Sequence, residues 1–471
     1  MHQLSGMDYM FFGFETEDNP SHIAGISICD AATAPGGKLT SAKISKLLRE
    51  RLKPLPLTRR RIQRVPLNLD YPYWAEDVDF DIDAHIRMLR LPKPGSWDQL
   101  TERMSRLVNE PFDENRPLWE ICVIQGINKA PDLSPGSFAL VLRMHHVFAD
   151  AATSMIINDV MYDDSSFDPA EAEEIPEPPD KLQMLAAAAN NSVRRSFGTG
   201  IKAIKATPSV ARYLSETISR SIREREMPIG RLNDPKTQLV PDTIGAERST
   251  DACRLDFSRV KAMRQLAEGS TINDLLIAVV GGGIRRYLAK HEEVPHDSLT
   301  AIAPINLRQF DDGGEGSNVV SAMMLPLHQD IEDPVERLAA IHAASTSAKR
   351  DEVMDVNRSL ASIITGLPAL VLGPMLGALS GLAHRGSTSF ASTIVSNVRS
   401  YLEMRTFGGA EVKRAFGIGL LGPGIGSLHA CTVYAGHMHI GLTCSPEAIP
   451  DTREYMQCIK ESFAEYEALV A

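Results

Sequence analysis

SFALVLRMHHVFADAATS, Ser137 to Ser154, runs an apolar segment into two adjacent histidines, His145 and His146, with Asp150 four residues after the second. If Ser137 to His146 is a strand, successive side chains point to opposite faces. The two rings then cannot share one ion or one substrate, so one works and the other braces. The strand runs out into small residues around an aspartate, the kind of place where a strand end opens into a cleft. A zinc site would need further ligands from elsewhere, and no other His/Cys cluster has ligand spacing, so no metal is expected. A pair of hydrogen-bonded core histidines stays open as the bland alternative. The chemical alternative is a base: an alcohol is too weak an acid to ionise at neutral pH, and imidazole, with an ordinary pKa of about 6.5, is well matched to take its proton as it attacks. The reaction class that follows is acyl transfer without a covalent enzyme intermediate.

Outward from this stretch, the chain reads as α/β material on both sides of a compositional break. Residues 1 to 165 mix short strands such as HIAGISICD with the amphipathic helix SAKISKLLRERLK. Asp163 to Asp180 then holds eight acidic residues, four prolines and no basic residue, which reads as a solvated linker. Residues 181 to 226 carry nine Lys or Arg against three Glu in helix-friendly spacing. Simple solvation explains that basic face, and contact with an anionic membrane surface or with coenzyme phosphates is its functional alternative. After a connector spanning 166–240, strands and helices return over 241–471, including TINDLLIAVVGGGIRRYLAKH as a helix and SLHACTVYAGHMHIGLT as alternating strands.

With 471 residues, the chain exceeds one ordinary core and is expected to form two domains. A net charge of -11 argues against nucleic acid as a partner. Six scattered cysteines without a CxxC pair, and a start lacking a basic leader, lead to the expectation of a reduced, cytoplasmic protein. LASIITGLPALVLGPMLGALSGLA, Leu360 to Ala383, is uncharged over a length that could cross a bilayer. Its two prolines and four glycines favour a buried or interfacial helix instead. GIGLLG, Gly417 to Gly422, matches a dinucleotide fingerprint, but a strand follows it where a helix N-terminus is needed.

The ordered motifs LSGMD (Leu4–Asp8), WAEDVDFDIDAHI (Trp74–Ile86), LPKPGS (Leu91–Ser96), RPLWE (Arg116–Glu120), HHVFADA (145–151), TINDLLIA (Thr271–Ala278), PINLR (Pro304–Arg308) and SNV (Ser396–Val398) span nearly the whole chain. In this set the sequence resembles the bacterial wax ester synthase/diacylglycerol acyltransferase (WS/DGAT) family of HHxxxD acyltransferases. The resemblance implies an α/β fold of two chloramphenicol-acetyltransferase-like domains joined by a helical connector, with an active-site tunnel at their interface. It implies transfer of a long-chain acyl group from acyl-CoA to diacylglycerol or a long-chain alcohol, with no metal or redox cofactor. By the same resemblance His146 is the general base, His145 and Asp150 hold it in position, and Ala151, Asn273, Asp274 and Asn397 support the site. Thr271 and Asp274 would equally serve as a helix cap. Pro117, Leu118 and Trp119 shape the tunnel wall, with core packing of Trp119 as the alternative. Ala151 stands where the family has Gly, and SNVRSY replaces its SNVPGP segment. Rival readings are a different hydroxylated acceptor and a non-catalytic lipid-binding protein. Peripheral contact with the inner membrane face or lipid droplets completes the expectation.

Overall fold

Ser5 accepts a hydrogen bond from the Asp8 N–H while Asp8 reaches back to the Ser5 N–H, and this reciprocal cap starts α1 (Gly6–Phe14) just after the short strand β1 (His2–Gln3). The computed structural model describes residues 2–16, 19–148, 151–168, 175, 177, 179–224, 234–291, 293–306, 320–349, 359, 361–384, 391–398, 402–422 and 424–470. The chain continues through β2 (His22–Asp30), α2 (Ser41–Leu52), β3 (Arg60–Gln63), β4 (Tyr73–Glu76), β5 (Ile86–Arg90), α3 (Trp97–Asn109), β6 (Trp119–Ile127) and β7 (Ser137–His145). Next come α4 (Ala151–Val160) and the 44-residue α5 (Lys181–Glu224). The second half contains β8 (Ser249–Asp256), α6 (Phe257–Met263), α7 (Ile272–Lys290), β9 (Thr300–Asn306), β10 (Val320–Pro326), α8 (Pro334–Ala348), α9 (Ala369–His384) and β11 (Thr393–Val398). It closes with β12 (Thr406–Phe407), β13 (Ala410–Ile418), β14 (Ser427–Tyr434), β15 (His437–Cys444) and α10 (Thr452–Ala468).

Two mixed six-stranded sheets form the two lobes, in the orders β12-β13-β2-β7-β6-β5 and β10-β9-β11-β14-β15-β8. β7 is buried on both faces, which is why it reads as an apolar run from Phe138 to Leu142. Phe138, Leu140, Leu142 and Met144 enter the core beneath α2, while Ala139 and Val141 enter the core beneath α3. In the other lobe, α7 and α10 cover the second sheet, and the apolar residues from Leu275 to Val280 are all in its core.

The partition into separate halves meets one structural complication. β12 and β13 belong to the second half in sequence but complete the first sheet, with Ile418 opposite Ala24 and Glu411 opposite Asp30. The start of the acidic stretch, read above as a solvated linker, helps tie them there. Asp163 accepts from the backbone N–H groups of Gly408 and Gly409 at 2.8 and 2.7 Å, and Arg405 bonds Asp159 and Asp164, each at 2.8 Å.

GIGLLG begins at the end of β13, where the chain passes close to β15. β13 crosses β15 so closely that a Cβ on Gly441 would collide with the backbone carbonyl oxygen of Gly417. Glycine is needed at Gly441 to let the two backbones approach, while a Cβ at Gly417 would make only ordinary contacts.

The uncharged stretch forms helical backbone over 361–364 and then α9, and no helix among the described residues is long and apolar enough to cross a membrane. α9 packs on α1 through its Ala369, Leu372 and Leu376 side, which meets Tyr9, Met10 and Tyr71. The approach is close: Cβ atoms at Gly6 and Gly13 would strike the Thr365 carbonyl and the Leu376 side chain.

Candidate active site

β7 ends one residue earlier than its sequence suggests. His145 is its last residue and donates its N–H to the Leu118 carbonyl at 2.9 Å, whereas His146 lies in the following turn and donates its N–H to the Ser21 carbonyl at 2.7 Å. The two rings therefore do not take the strict opposite faces of a strand. Both turn toward α1 and stack on successive residues of it, His145 on Phe12 at 5.0 Å and His146 on Phe11 at 3.7 Å between ring centroids.

Their chemical situations differ sharply. His145 is buried, and both of its ring nitrogens are engaged. Nδ1 accepts from the Val147 N–H at 3.1 Å, so the neutral ring carries its proton on Nε2 and donates it to Glu15 Oε2 at 2.9 Å. His146 has a buried Nδ1 with no hydrogen-bond partner among the described residues. Burial, helped by the neighbouring His145, pushes its pKa down to about 4, so at neutral pH the ring is a free base.

Glu15, the residue that ends α1, is the group sequence reasoning missed. Besides His145 it accepts from the Ser21 N–H at 3.3 Å and lies 3.8 Å from His22 Nε2. Burial alone would raise its pKa, but the His145 hydrogen bond and the attraction of both histidines hold it below the ordinary carboxylate range. His22 stands directly opposite His145 across the β2–β7 ladder and bonds the Val108 carbonyl through Nδ1 at 3.0 Å. Burial, then the Arg143 charge, pushes the His22 pKa down to about 4.

Below the histidines, Arg143 is fully buried on β7. It pairs with Glu120, its cross-strand neighbour on β6 and the last residue of RPLWE, and bonds the Glu110 carbonyl. Arg87 reaches both Glu110, at 2.5 Å, and Glu120, at 3.3 Å. The cluster is thus an ion-pair network, which satisfies a buried guanidinium that would otherwise be costly.

The other residues singled out above fall in different places. Asp150 lies outside the described residues, as do Arg399 and Ser400 of the departing SNVRSY segment. Ala151 opens α4, with its side chain outside the described residues. Arg60 donates to the Phe148 carbonyl at 3.3 Å and to Thr153 Oγ1 at 3.2 Å. Pro117 and Leu118 are buried beside His145, and Leu118 lines, with Phe12, Ile62 and Arg64, a small cavity of about 160 Å³. Trp119 is core: its indole N–H donates to the Thr58 carbonyl at 2.8 Å and its ring stacks on His85 at 4.7 Å.

Asp274 caps α7 with Thr271 and also accepts from Ser345 Oγ at 2.6 Å and bonds His342 Nδ1 at 3.0 Å, so its hydrogen bonds stay within the second lobe. Despite burial, those bonds hold its carboxyl below the ordinary range. Asn273 is half-buried next to it, and Asn397 is exposed on β11. Among the described residues, no group of three or more His, Cys, Asp or Glu could hold a metal ion.

The two-lobed α/β fold is one that solved condensation domains and acyltransferases share. A starter condensation domain of rhizomide synthetase, solved with C8-CoA and Leu-SNAC, superposes with a TM-score of 0.54 at 14% identity, over 100% of this chain and 94% of that one. The wax ester synthase/diacylglycerol acyltransferase of Marinobacter aquaeolei VT8 superposes with a TM-score of 0.66 at 22% identity, over 99% of each chain. The chain belongs to the wax ester synthase/diacylglycerol acyltransferase family: residues 4–276 match its catalytic domain and residues 316–467 its C-terminal domain. It is an acyltransferase. A Mycobacterium tuberculosis H37Rv relative, named as a diacylglycerol O-acyltransferase, is 26% identical over 477 residues, covering 99% of this chain and 97% of that one.

Proposed function

We propose that the protein transfers a long-chain acyl group from acyl-CoA to the hydroxyl of diacylglycerol, and to long-chain alcohols as secondary acceptors, with His146 as general base. The observation that carries this reading is the asymmetry of the pair: His145 has both nitrogens bonded, while His146 is a free base with an unpartnered, buried Nδ1. The acceptor hydroxyl gives its proton to the imidazole as its oxygen attacks the thioester carbonyl. Collapse of the tetrahedral adduct breaks the carbon–sulfur bond, and the imidazolium returns the proton to the departing CoA thiolate. No covalent acyl-enzyme and no cofactor enters. His145, fixed between Glu15 and the Val147 N–H, holds the turn that presents His146.

Support for the donor and acceptor comes from the family and from what similar proteins are named for: the Marinobacter protein for wax esters and diacylglycerol, and a condensation domain of similar fold for the C8-CoA it was solved with. An acceptor that lives in lipid also requires the enzyme to work at a lipid surface.

Acyl transfer by purified protein from palmitoyl-CoA to diacylglycerol, to hexadecanol and to no acceptor tests the reading, with His146→Ala beside the wild type. General-base catalysis is worth roughly 100-fold or more, so the variant should lose at least that much while remaining folded. Equal rates would remove His146 from the mechanism, and faster turnover of a water-soluble alcohol would replace the proposed acceptor.

A further inference from the structure

α5 is amphipathic in an unexpected sense. One side docks on the body of the protein: Met184 and Ala188 pack against Val65 and Tyr73, Asn191 and Arg195 bond Asp70, and Thr199 donates to the Gly366 carbonyl at 2.6 Å. The outward side should then be polar. Instead it carries Val193, Phe197, Ile201 and Ile204, spaced four, four and three residues apart and hence in one line along the helix. Phe197 is 72% exposed and Ile204 74%.

The Thr199–Gly366 bond sets this helix beside the segment leading into α9, where Leu370, Val371 and Met375 are exposed on the side turned away from α1. A continuous line of large apolar side chains in water is rare on a protein that has nothing to cover them.

The charges around the line indicate what covers it. Residues 181–205 contain Lys181, Arg194, Arg195, Lys202 and Lys205 and no acidic residue, in a chain whose net charge is -11. Arg194 and Lys205 are exposed along one flank of the apolar line, and Lys202 is exposed further round the helix. An apolar stripe flanked by exposed Lys and Arg is the pattern of a helix lying in the plane of a membrane, its apolar side in the acyl boundary and its cations among lipid phosphates.

We infer that the outer face of α5, extended by the exposed side of α9, docks on a bilayer containing anionic phospholipid. This deepens the functional reading, resting on it for the lipid acceptor, and gives the membrane face a position. The other side of α9 packs on α1, whose Phe11 and Phe12 cover the two histidines, so the docking face lies one helix layer from the base.

Flotation of the full-length chain with phosphatidylcholine vesicles, with and without phosphatidylglycerol, tests the inference. The wild type should float with the anionic vesicles and lose binding in high salt. Phe197→Glu and Ile201→Glu should each weaken binding by about tenfold or more, from the lost burial of one large apolar side chain. Arg194→Gln and Lys205→Gln should each cost about fivefold. Unchanged circular dichroism and thermal melts show that the variants fold.

Wild type that stays unbound on anionic vesicles, or Glu variants that float as well as wild type, would overturn the inference. So would a wild-type dimer that Phe197→Glu splits in the absence of lipid, because a second copy would then cover the stripe. Acyl transfer to detergent-dispersed diacylglycerol, measured in parallel, separates the two ideas: no transfer with intact flotation sinks the functional reading and leaves the docking face standing.

Discussion

Glu15 offers the most direct trial of how the histidine pair is held. Replacing it with alanine removes the acceptor of the His145 Nε2–H bond at 2.9 Å and of the weaker Ser21 N–H bond at 3.3 Å. A hydrogen bond to a charged group is worth about 1.5–3 kcal/mol. If that restraint fixes the turn in the transition state, its loss lowers kcat by roughly 10- to 150-fold. Glu15→Gln keeps an oxygen for the Nε2–H and loses only the charge, so it should recover part of the rate, ending within about tenfold of wild type. The assay is steady-state release of CoA thiol with acyl-CoA and diacylglycerol varied in turn, alongside thermal melts. KM for the acyl donor should stay within about twofold, because Glu15 acts through His145 and not on substrate. Alanine and glutamine variants with wild-type kcat would refute the reasoning. Equal losses in both variants, in step with a falling Tm, would reduce Glu15 to a structural residue.

Three further outcomes follow from the structure. His146 works unprotonated and burial holds its pKa at about 4, so kcat/KM should be level from pH 8 to near 5 and fall below that; a midpoint near 6.5 would mean that the working ring is solvated. His22, His146 and His429 all have folded values of about 4 against an unfolded value near 6.5, so the unfolded state binds more protons between them and Tm should drop as pH falls through that window. Gly441→Ala puts a methyl group into the Gly417 carbonyl and should cost about 3 kcal/mol or more in urea unfolding. Gly25→Ala on β2, where a Cβ would meet nothing within 4 Å, is the control and should be close to neutral.

Several of these features were readable from residue order alone, for physical reasons that can be named. β7 announced itself because a strand covered on both faces is mostly apolar, as Phe138 to Leu142 are, and α7 because Thr271 and Asp274 stand at capping distance. The error of one residue at His146 arose because no local signal separates the last rung of a ladder from the first residue of a turn. AEVKRAFGI buries alternate side chains, but such alternation tells which side chains are buried and not which strand lies alongside. Its place next to β2 was therefore invisible. Glu15 was hidden for a related reason: it begins the acidic run ETED, and only the fold places this first carboxylate against His145 and His22. The exposed stripe on α5 was half legible, since its spacing is helical, while which side faces out depends on what Asp70 and Gly366 hold.

The pairing of β13 with β2 also governs how the molecule comes off the ribosome. Ala24 meets its neighbour only when Ile418 has been made, so until then one flank of β2 offers its backbone to whatever strand comes near. The nascent first lobe is an open edge throughout most of translation, and a fragment stopped at residue 240 keeps that edge for good. Completion of the first sheet accordingly waits until residues 410–418 have been made.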